Sequence, residues 1–327
     1  MSETKSYFHL FDWSYKSPDP NDVLMGQLVS DPLDLKRLDT CDTVIFGIPF
    51  DDAVLGRKGS AEGPRAIRTI FQNLKANTFG EGEVQRTVYD LGDFIFSAGE
   101  VAGAHEEVEK AAKHARSFAA RPKRKGRRPH ARVIALGGDH SLTYPCAVPY
   151  LQEYGKSFAV INLDAHLDVR EVNKGEPYNS GTSFGRLIDA GLSSYTVIGA
   201  RDFQTSPKYV QRVRETGGRI VTANDVFSRG ADVVAREALA KLPADCKAVY
   251  LSLDMDVADA SVVPGVSAPT PGGLLAHQIY SLIEILCADE RVIACDIMEL
   301  APPLEDSFSD RSARLAAACL AYMVASS

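Results

Sequence analysis

The 327-residue chain contains no apolar run approaching the roughly 18–20 residues required to cross a membrane, which excludes a helical span. Cysteine is sparse. The six residues Cys41, Cys146, Cys246, Cys287, Cys295 and Cys319 are scattered and form no C-x-x-C pair. That spacing excludes a disulfide framework or zinc ribbon and fits buried thiols in a reducing cytoplasm. Basic residues are in deficit: 43 Asp and Glu outnumber 36 Lys and Arg, leaving a net charge of −7. A general nucleic-acid binder carries the opposite balance. The first residues, Met1-Ser2-Glu3-Thr4-Lys5, lack the apolar core of a signal peptide, and Ala325-Ser326-Ser327 is neither a prenylation nor a peroxisomal signal.

What is present is strand alternating with helix. Short β-rich runs occur at Thr43–Ile48, Val133–Leu136, Phe158–Leu163, Thr196–Ile198, Arg219–Thr222, Ala248–Leu253 and Val292–Ile297. Most are continuously apolar, as expected of strands covered on both faces of a parallel sheet. Helical spacing separates them. Pro64 opens one helix with an apolar stripe of Ile67, Ile70, Phe71 and Leu74. Others are expected near 104–120, 142–154, 184–190, 207–215, 231–241, 276–287 and 310–324. The pattern predicts an α/β fold, a three-layer α-β-α sandwich around a mostly parallel sheet. No linker or internal repeat interrupts it, so residues 1–40 are expected as an N-terminal arm and 41–327 as a single domain.

One stretch breaks the acidic trend, from Arg121 to Arg132, with Arg or Lys at seven of its twelve positions. It could bind phosphate or act as a localisation tract. Its Pro and Gly residues favour a solvated loop before the strand at Val133.

Three clusters carry chemistry, each at the C-terminal end of an expected strand, where open α/β sheets place ligands. Gly137-Gly138-Asp139-His140-Ser141 presents an imidazole after a glycine turn. In Asp164-Ala-His-Leu-Asp168, extended alternation would put Asp164, His166 and Asp168 on one face. Asp254 and Asp256 share a face in the same way after Ala-Val-Tyr-Leu-Ser-Leu. Four clustered acids repel unless something positive lies among them. Two divalent cations supply four charges, and a mainly oxygen donor set suits Mn²⁺ better than zinc. Shared aspartates would hold the ions roughly 3.5–4 Å apart, as in two-metal hydrolytic sites.

These three motifs, read as Gly-Gly-Asp-His-Ser, Asp-Ala-His-Leu-Asp and Ser-Leu-Asp-Met-Asp-Val-Ala-Asp, resemble the signatures of the ureohydrolase superfamily, the arginases, agmatinases and formimidoylglutamases. The resemblance extends to Gly56–Arg68 and to Asp296-Ile-Met-Glu-Leu-Ala-Pro302. It implies an arginase-like fold with two Mn²⁺ per subunit. His140, Asp164, Asp168 and Asp254 would hold one ion, and Asp164, His166, Asp254 and Asp256 the other, with Asp164 and Asp254 bridging. A hydroxide between the ions would be the nucleophile, Asp168 would assist proton transfer, and Glu299 would meet the substrate's cationic C–N group. The family also implies a homo-oligomer, trimer or hexamer.

Arginases and agmatinases place a His-Gly pair after the second cluster. Here Ser180-Gly181 stands there, and a hydroxyl is a poor general acid or base. Ser180-Gly-Thr and Asp168-Val-Arg170 resemble formimidoylglutamases, which hydrolyse N-formimidoyl-L-glutamate to glutamate and formamide in histidine degradation. That dicarboxylate substrate implies cationic and hydroxyl partners: Arg170, Asn179, Ser180, Thr182, Arg186 and Arg201 are the candidates. Agmatine, arginine or a guanidino acid are the competing substrates, and a catalytically idle family member or a zinc deacetylase are further alternatives. Ala260 replaces a usual proline, which bears only on loop rigidity. His9, His105, His114, His130 and His277 receive no role. The expected setting is cytoplasmic, with no membrane and no nucleic-acid partner.

Overall fold

The computed structural model describes residues 7–30, 41–97, 99–119, 130–172, 178–306 and 308–326. Twelve strands are described in chain order. They are β1 (Phe8–His9), β2 (Val29–Ser30), β3 (Thr43–Gly47), β4 (Asn77–Thr78), β5 (Gly82–Glu83), β6 (Val88–Phe94), β7 (Arg132–Leu136), β8 (Phe158–Leu163), β9 (Tyr195–Ala200), β10 (Arg219–Thr222), β11 (Ala248–Asp254) and β12 (Val292–Met298). Between and after them run α1 (Gly63–Phe71), α2 (Val101–Ala119), α3 (Thr143–Tyr154), α4 (Ser183–Asp189), α5 (Pro207–Glu215), α6 (Ala223–Arg229), α7 (Ala231–Ala240), α8 (Ala276–Ala288) and α9 (Arg311–Ala325).

The main sheet has the order β1-β6-β3-β7-β12-β11-β8-β9-β10, with β2 also pairing β6. Among the described strands of this sheet only β1 is antiparallel to its neighbour, so the expected mostly parallel sheet is present. Alternate side chains of each strand enter different cores. From β11, Val249, Leu251 and Leu253 pack with α1 and α6 to α9, whereas Ala248 and Tyr250 pack with α2 to α5. The sheet is therefore the middle layer of three. All six cysteines are buried thiols, as their spacing suggested. No described helix is long and apolar enough to cross a membrane.

Beyond the short strands β1, β2, β4 and β5, which were not expected, three features depart from the sequence pattern. Strand β6, Val-Tyr-Asp-Leu-Gly-Asp-Phe, was not expected because two acids interrupt it. Those acids are met from α1: Arg68, fully buried, pairs with Asp90 through Nε at 2.8 Å and Nη2 at 2.9 Å, and also with Asp93. The short helix α6 was also missed; it is fixed by a capping box in which Thr222 and Asp225 bond one another's backbone. The third concerns the basic segment, of which residues 121–129 lie outside the described residues. Arg132, its last member, is no loop residue. It opens β7, 1% exposed, and donates to the carbonyls of Val292, Cys287 and Met323, tying the strand to α8 and α9.

Candidate metal centre and active site

The four motif-bearing strands β7, β12, β11 and β8 are consecutive in the sheet, so their C-terminal ends converge at its centre. After β7 the chain continues through Gly137 and Gly138. The chain bends at Gly138 and Asp139 as expected, and neither glycine uses a positive φ to do so. A Cβ on Gly137 would lie 1.7 Å from Met298 Sδ, and one on Gly138 would lie 1.7 Å from the Phe50 carbonyl oxygen. Glycine is required for close approach, and it delivers His140 into the fully buried floor of the site.

His140 Nδ1 faces Asp168 Oδ2 at 2.9 Å, Asp254 Oδ2 at 3.0 Å and Asp164 Oδ2 at 3.4 Å. His166 Nδ1 lies 3.1 Å from Asp256 Oδ2 and 3.5 Å from Asp164 Oδ1. The donors fall into two sets, each within 4.8 Å: His140, Asp164, Asp168 and Asp254, and Asp164, His166 and Asp256. All six expected ligands are brought together. Asp164 is common to both sets. Asp254 falls in the first set, and its Oδ1 accepts the Asp256 N–H at 2.8 Å.

Convergence is achieved by bends rather than by extended alternation. Asp168 adopts a left-handed backbone, φ 46°, and Asp256 lies in a 3₁₀ turn over Met255–Val257. Glu299, at φ 64°, and Phe203, at φ 66°, are the other non-glycine residues with positive φ among those described. All three line one cavity of about 380 Å³ with His166, Asp254 and Asp256. Such backbone strain persists only where surrounding contacts enforce it.

Counting hydrogen atoms shows what the cluster lacks. Ser252 Oγ donates its one hydrogen to Asp296 Oδ1 at 2.6 Å, so it must accept from His140 Nε2 at 2.9 Å. A neutral His140 then presents a bare Nδ1, buried without a hydrogen-bond partner, to three carboxylates. A cation has to lie between them. Without a metal it is a proton: burial opposes the charge, but Asp254, Asp164 and Asp168 overcome it and raise the His140 pKa. Burial and Asp164 likewise push Asp168 up to about 6, and burial, Asp256 and Asp164 raise Asp254. Two divalent cations would replace those protons, and the carboxylate-and-imidazole donor set fits hard to borderline ions.

The outer partners were only partly foreseen. Asp296, quoted in its motif without a role, is fully buried and accepts from Ser252, Thr143 Oγ1 at 2.7 Å, Tyr250 OH at 3.0 Å and Leu253 N at 3.3 Å. Asn162 Nδ2 donates to Asp164 Oδ2 at 2.9 Å. Ser252 and Asn162 each stand two residues before a ligand on their strand, a spacing that could have marked them. Glu299 is 2% exposed; its Oε1 accepts the His140 N–H at 2.8 Å while Oε2 has no hydrogen-bond partner. Burial, then the Asp139 charge, raises its pKa to about 8.

The substrate candidates separate into two groups. Arg170 and Ser180 line the cavity. The Arg170 stem lies across Gly181, where a Cβ would come within 2.7 Å of its Cδ, and Ser180 Oγ accepts the Leu55 N–H at 3.1 Å. Asn179, Thr182, Arg186 and Arg201 are not in its wall. Asn179 and Thr182 cap each other across the turn before α4. Arg201, 8% exposed, is consumed by the carbonyls of Asp256 and Thr270 and so braces the loop carrying Asp256. Arg186 is held between the rings of Tyr144 and Tyr178, at 3.6 and 3.4 Å from their centroids. Conversely Gln204, Thr205, Ser206 and Tyr209 complete the wall and were not anticipated.

Residues 41–325 match the arginase family model. The chain belongs to the arginase family. Among its relatives, this arginase-family chain is 38% identical to a formimidoylglutamase of Halobacterium salinarum over 96% of this chain and 97% of that one. Its fold is similar to the crystal structure of formimidoylglutamase from Bacillus subtilis, with TM-score 0.84, 25% identity, and coverage of 97% and 95% of the two chains. It is also similar to Trypanosoma cruzi formiminoglutamase with Mn²⁺, with TM-score 0.81, 26% identity, and coverage of 94% and 98%. The arginase-family fold expected from the sequence is thus shown.

Proposed function

We propose that this arginase-family protein is a dimanganese hydrolase that cleaves N-formimidoyl-L-glutamate with water to L-glutamate and formamide. The observation that carries the choice of substrate is the charge layout of the cavity. The acids lie together with the metal ligands. Arg170 is the one permanent cation among the described residues of the wall. Such a site takes a molecule with an amidine at one end and carboxylate at the other, and it opposes agmatine, whose far end is cationic. Ser180, where guanidine hydrolases carry histidine, has no proton to exchange near neutral pH.

His140, Asp164, Asp168, His166, Asp254 and Asp256 would hold the two Mn²⁺. When bound, the ions supply a nucleophile at neutral pH and polarise the amidine carbon. The protein supplies the rest. Glu299 Oε1 is fixed by the His140 amide, leaving the unpartnered Oε2 to meet the planar amidinium, whose positive charge would favour the ionised carboxylate that accepts its N–H. Asp168, held in its left-handed conformation, offers a carboxylate to take up a proton after attack. Arg170 matches a carboxylate with two parallel N–H donors, and Ser180 supplies a hydroxyl beside it.

The test is a product assay on Mn²⁺-loaded protein: formamide from formimidoylglutamate, and no urea from arginine or agmatine. Faster urea release from any guanidine compound would overturn the substrate and leave the metal site standing. The same reading includes residues 1–40 as an arm on one catalytic domain, a cytoplasmic place in histidine degradation, no nucleic-acid partner, and a trimer or hexamer. Sedimentation of the loaded protein checks the last point.

A further inference from the structure

We propose that Arg186, Tyr178, Tyr144 and His105 form a positioning latch that sets the Ser180–Gly181 wall of the cavity. Arg186 lies in α4, eight residues beyond Tyr178, and its guanidinium folds back onto the Tyr178 ring at 3.4 Å. The other face of the guanidinium meets Tyr144 of α3 at 3.6 Å. Its Nη1 donates to His105 Nδ1 at 2.8 Å, and His105 Nε2 in turn donates to Ser141 Oγ at 2.9 Å, beside the ligand His140. The His105 ring also stacks on Tyr178, with centroids 5.3 Å apart and planes 23° apart. One planar cation thereby joins α2, the His140 segment, α3, α4 and the start of the wall.

The consequence lies on the cavity side. Ser180 and Gly181 follow Tyr178 by two and three residues, so the depth at which Tyr178 is gripped sets where they stand. Gly181 carries the Arg170 stem across its missing Cβ, and its carbonyl accepts the Arg170 N–H at 2.9 Å. Releasing Tyr178 moves the seat of Arg170, while the metal ligands keep their own supports, such as Ser252 on His140 and Asn162 on Asp164. Arg186 is a positioning residue, because it contacts neither cavity nor ligand directly. A lysine there would keep the charge and lose the flat, two-faced contact.

The kinetic part of the test rests on the dicarboxylate reading; the exchange part does not. In Mn²⁺-loaded Arg186→Gln, amide hydrogen exchange over residues 178–182 is expected to rise roughly tenfold, the scale of one desolvated cation–π contact, while β7 and β8 are unchanged. KM for formimidoylglutamate should rise by a similar factor with kcat within about threefold. Tyr178→Leu should reproduce both effects, and Tyr178→Phe, which retains the ring face, should restore wild-type behaviour. Unchanged exchange at 178–182 in both Arg186→Gln and Tyr178→Leu would overturn the latch, as would equal loosening of β7 and β8. If wild type fails to turn over formimidoylglutamate but exchange responds as expected, the function falls and the latch stands.

Discussion

Replacing Ser252 by alanine separates the two halves of the metal centre. Its hydroxyl receives the His140 Nε2 hydrogen at 2.9 Å and gives its own to Asp296 at 2.6 Å. In Ser252→Ala the imidazole N–H loses its acceptor in a site closed to water, and Asp296 retains Thr143, Tyr250 and Leu253 as donors. A buried donor left unmet costs about 1–3 kcal/mol. Loss of a partner that orients a metal-bound histidine typically weakens affinity by about 10–100-fold, or about 1.4–2.7 kcal/mol. The two scales agree. His166 makes no contact with this relay, so only one of two sites should weaken. Calorimetric titration of metal-stripped protein with Mn²⁺ is the assay, with thermal melts of the stripped forms to confirm folding. One binding step weakened by about 10–100-fold, and the other by less than about threefold, is the expected result. Two unchanged steps, or two steps weakened alike, would refute the relay.

Three further predictions concern stability. Gly138→Ala places a methyl 1.7 Å from a backbone oxygen and should cost about 4 kcal/mol or more, whereas Gly80→Ala, with nothing within 4 Å, should stay within about 0.5 kcal/mol in denaturant titration. Stripping Mn²⁺ from protein held at a hundred times its Kd should remove about 2.7 kcal/mol per site and lower Tm; an unshifted melt would count against metal binding. Burial and the Arg186 charge hold His105 down at about 3, below its ordinary 6.5, so the unfolded chain takes up the proton first. Stability should therefore be lost as pH falls from 6.5 toward 3, by up to about 1.4 kcal/mol per pH unit, and His105→Gln should flatten that slope.

The site was more legible in sequence than its supports were. The six ligands lie in short motifs after continuous apolar strands, which marks them out in the sequence, although bends rather than extended alternation gather them. Their partners depend on long-range encounters. Asp90 and Asp93 disqualified β6 on local pattern, yet Arg68 neutralises them from another element. Arg132 closed a run of basic residues that looked solvated, and three carbonyls of distant elements hold it inside. Arg186 and Arg201 were reasonable carboxylate binders by composition. Their use against tyrosine rings and backbone carbonyls depends on where α3 and the 256–270 loop pass, which no local pattern encodes. His105 had no motif at all.

The left-handed conformations of Asp168, Phe203 and Glu299 also bear on how this protein can be engineered. Glycine at any of them would relieve a backbone cost of roughly 1–3 kcal/mol. A selection for heat resistance would therefore favour those very substitutions, each deleting a side chain from the cavity wall. The surviving clones would be robust and idle. Thermal hardening of this chain has to be sought in its outer helices, where stability and turnover are not drawn from the same residues.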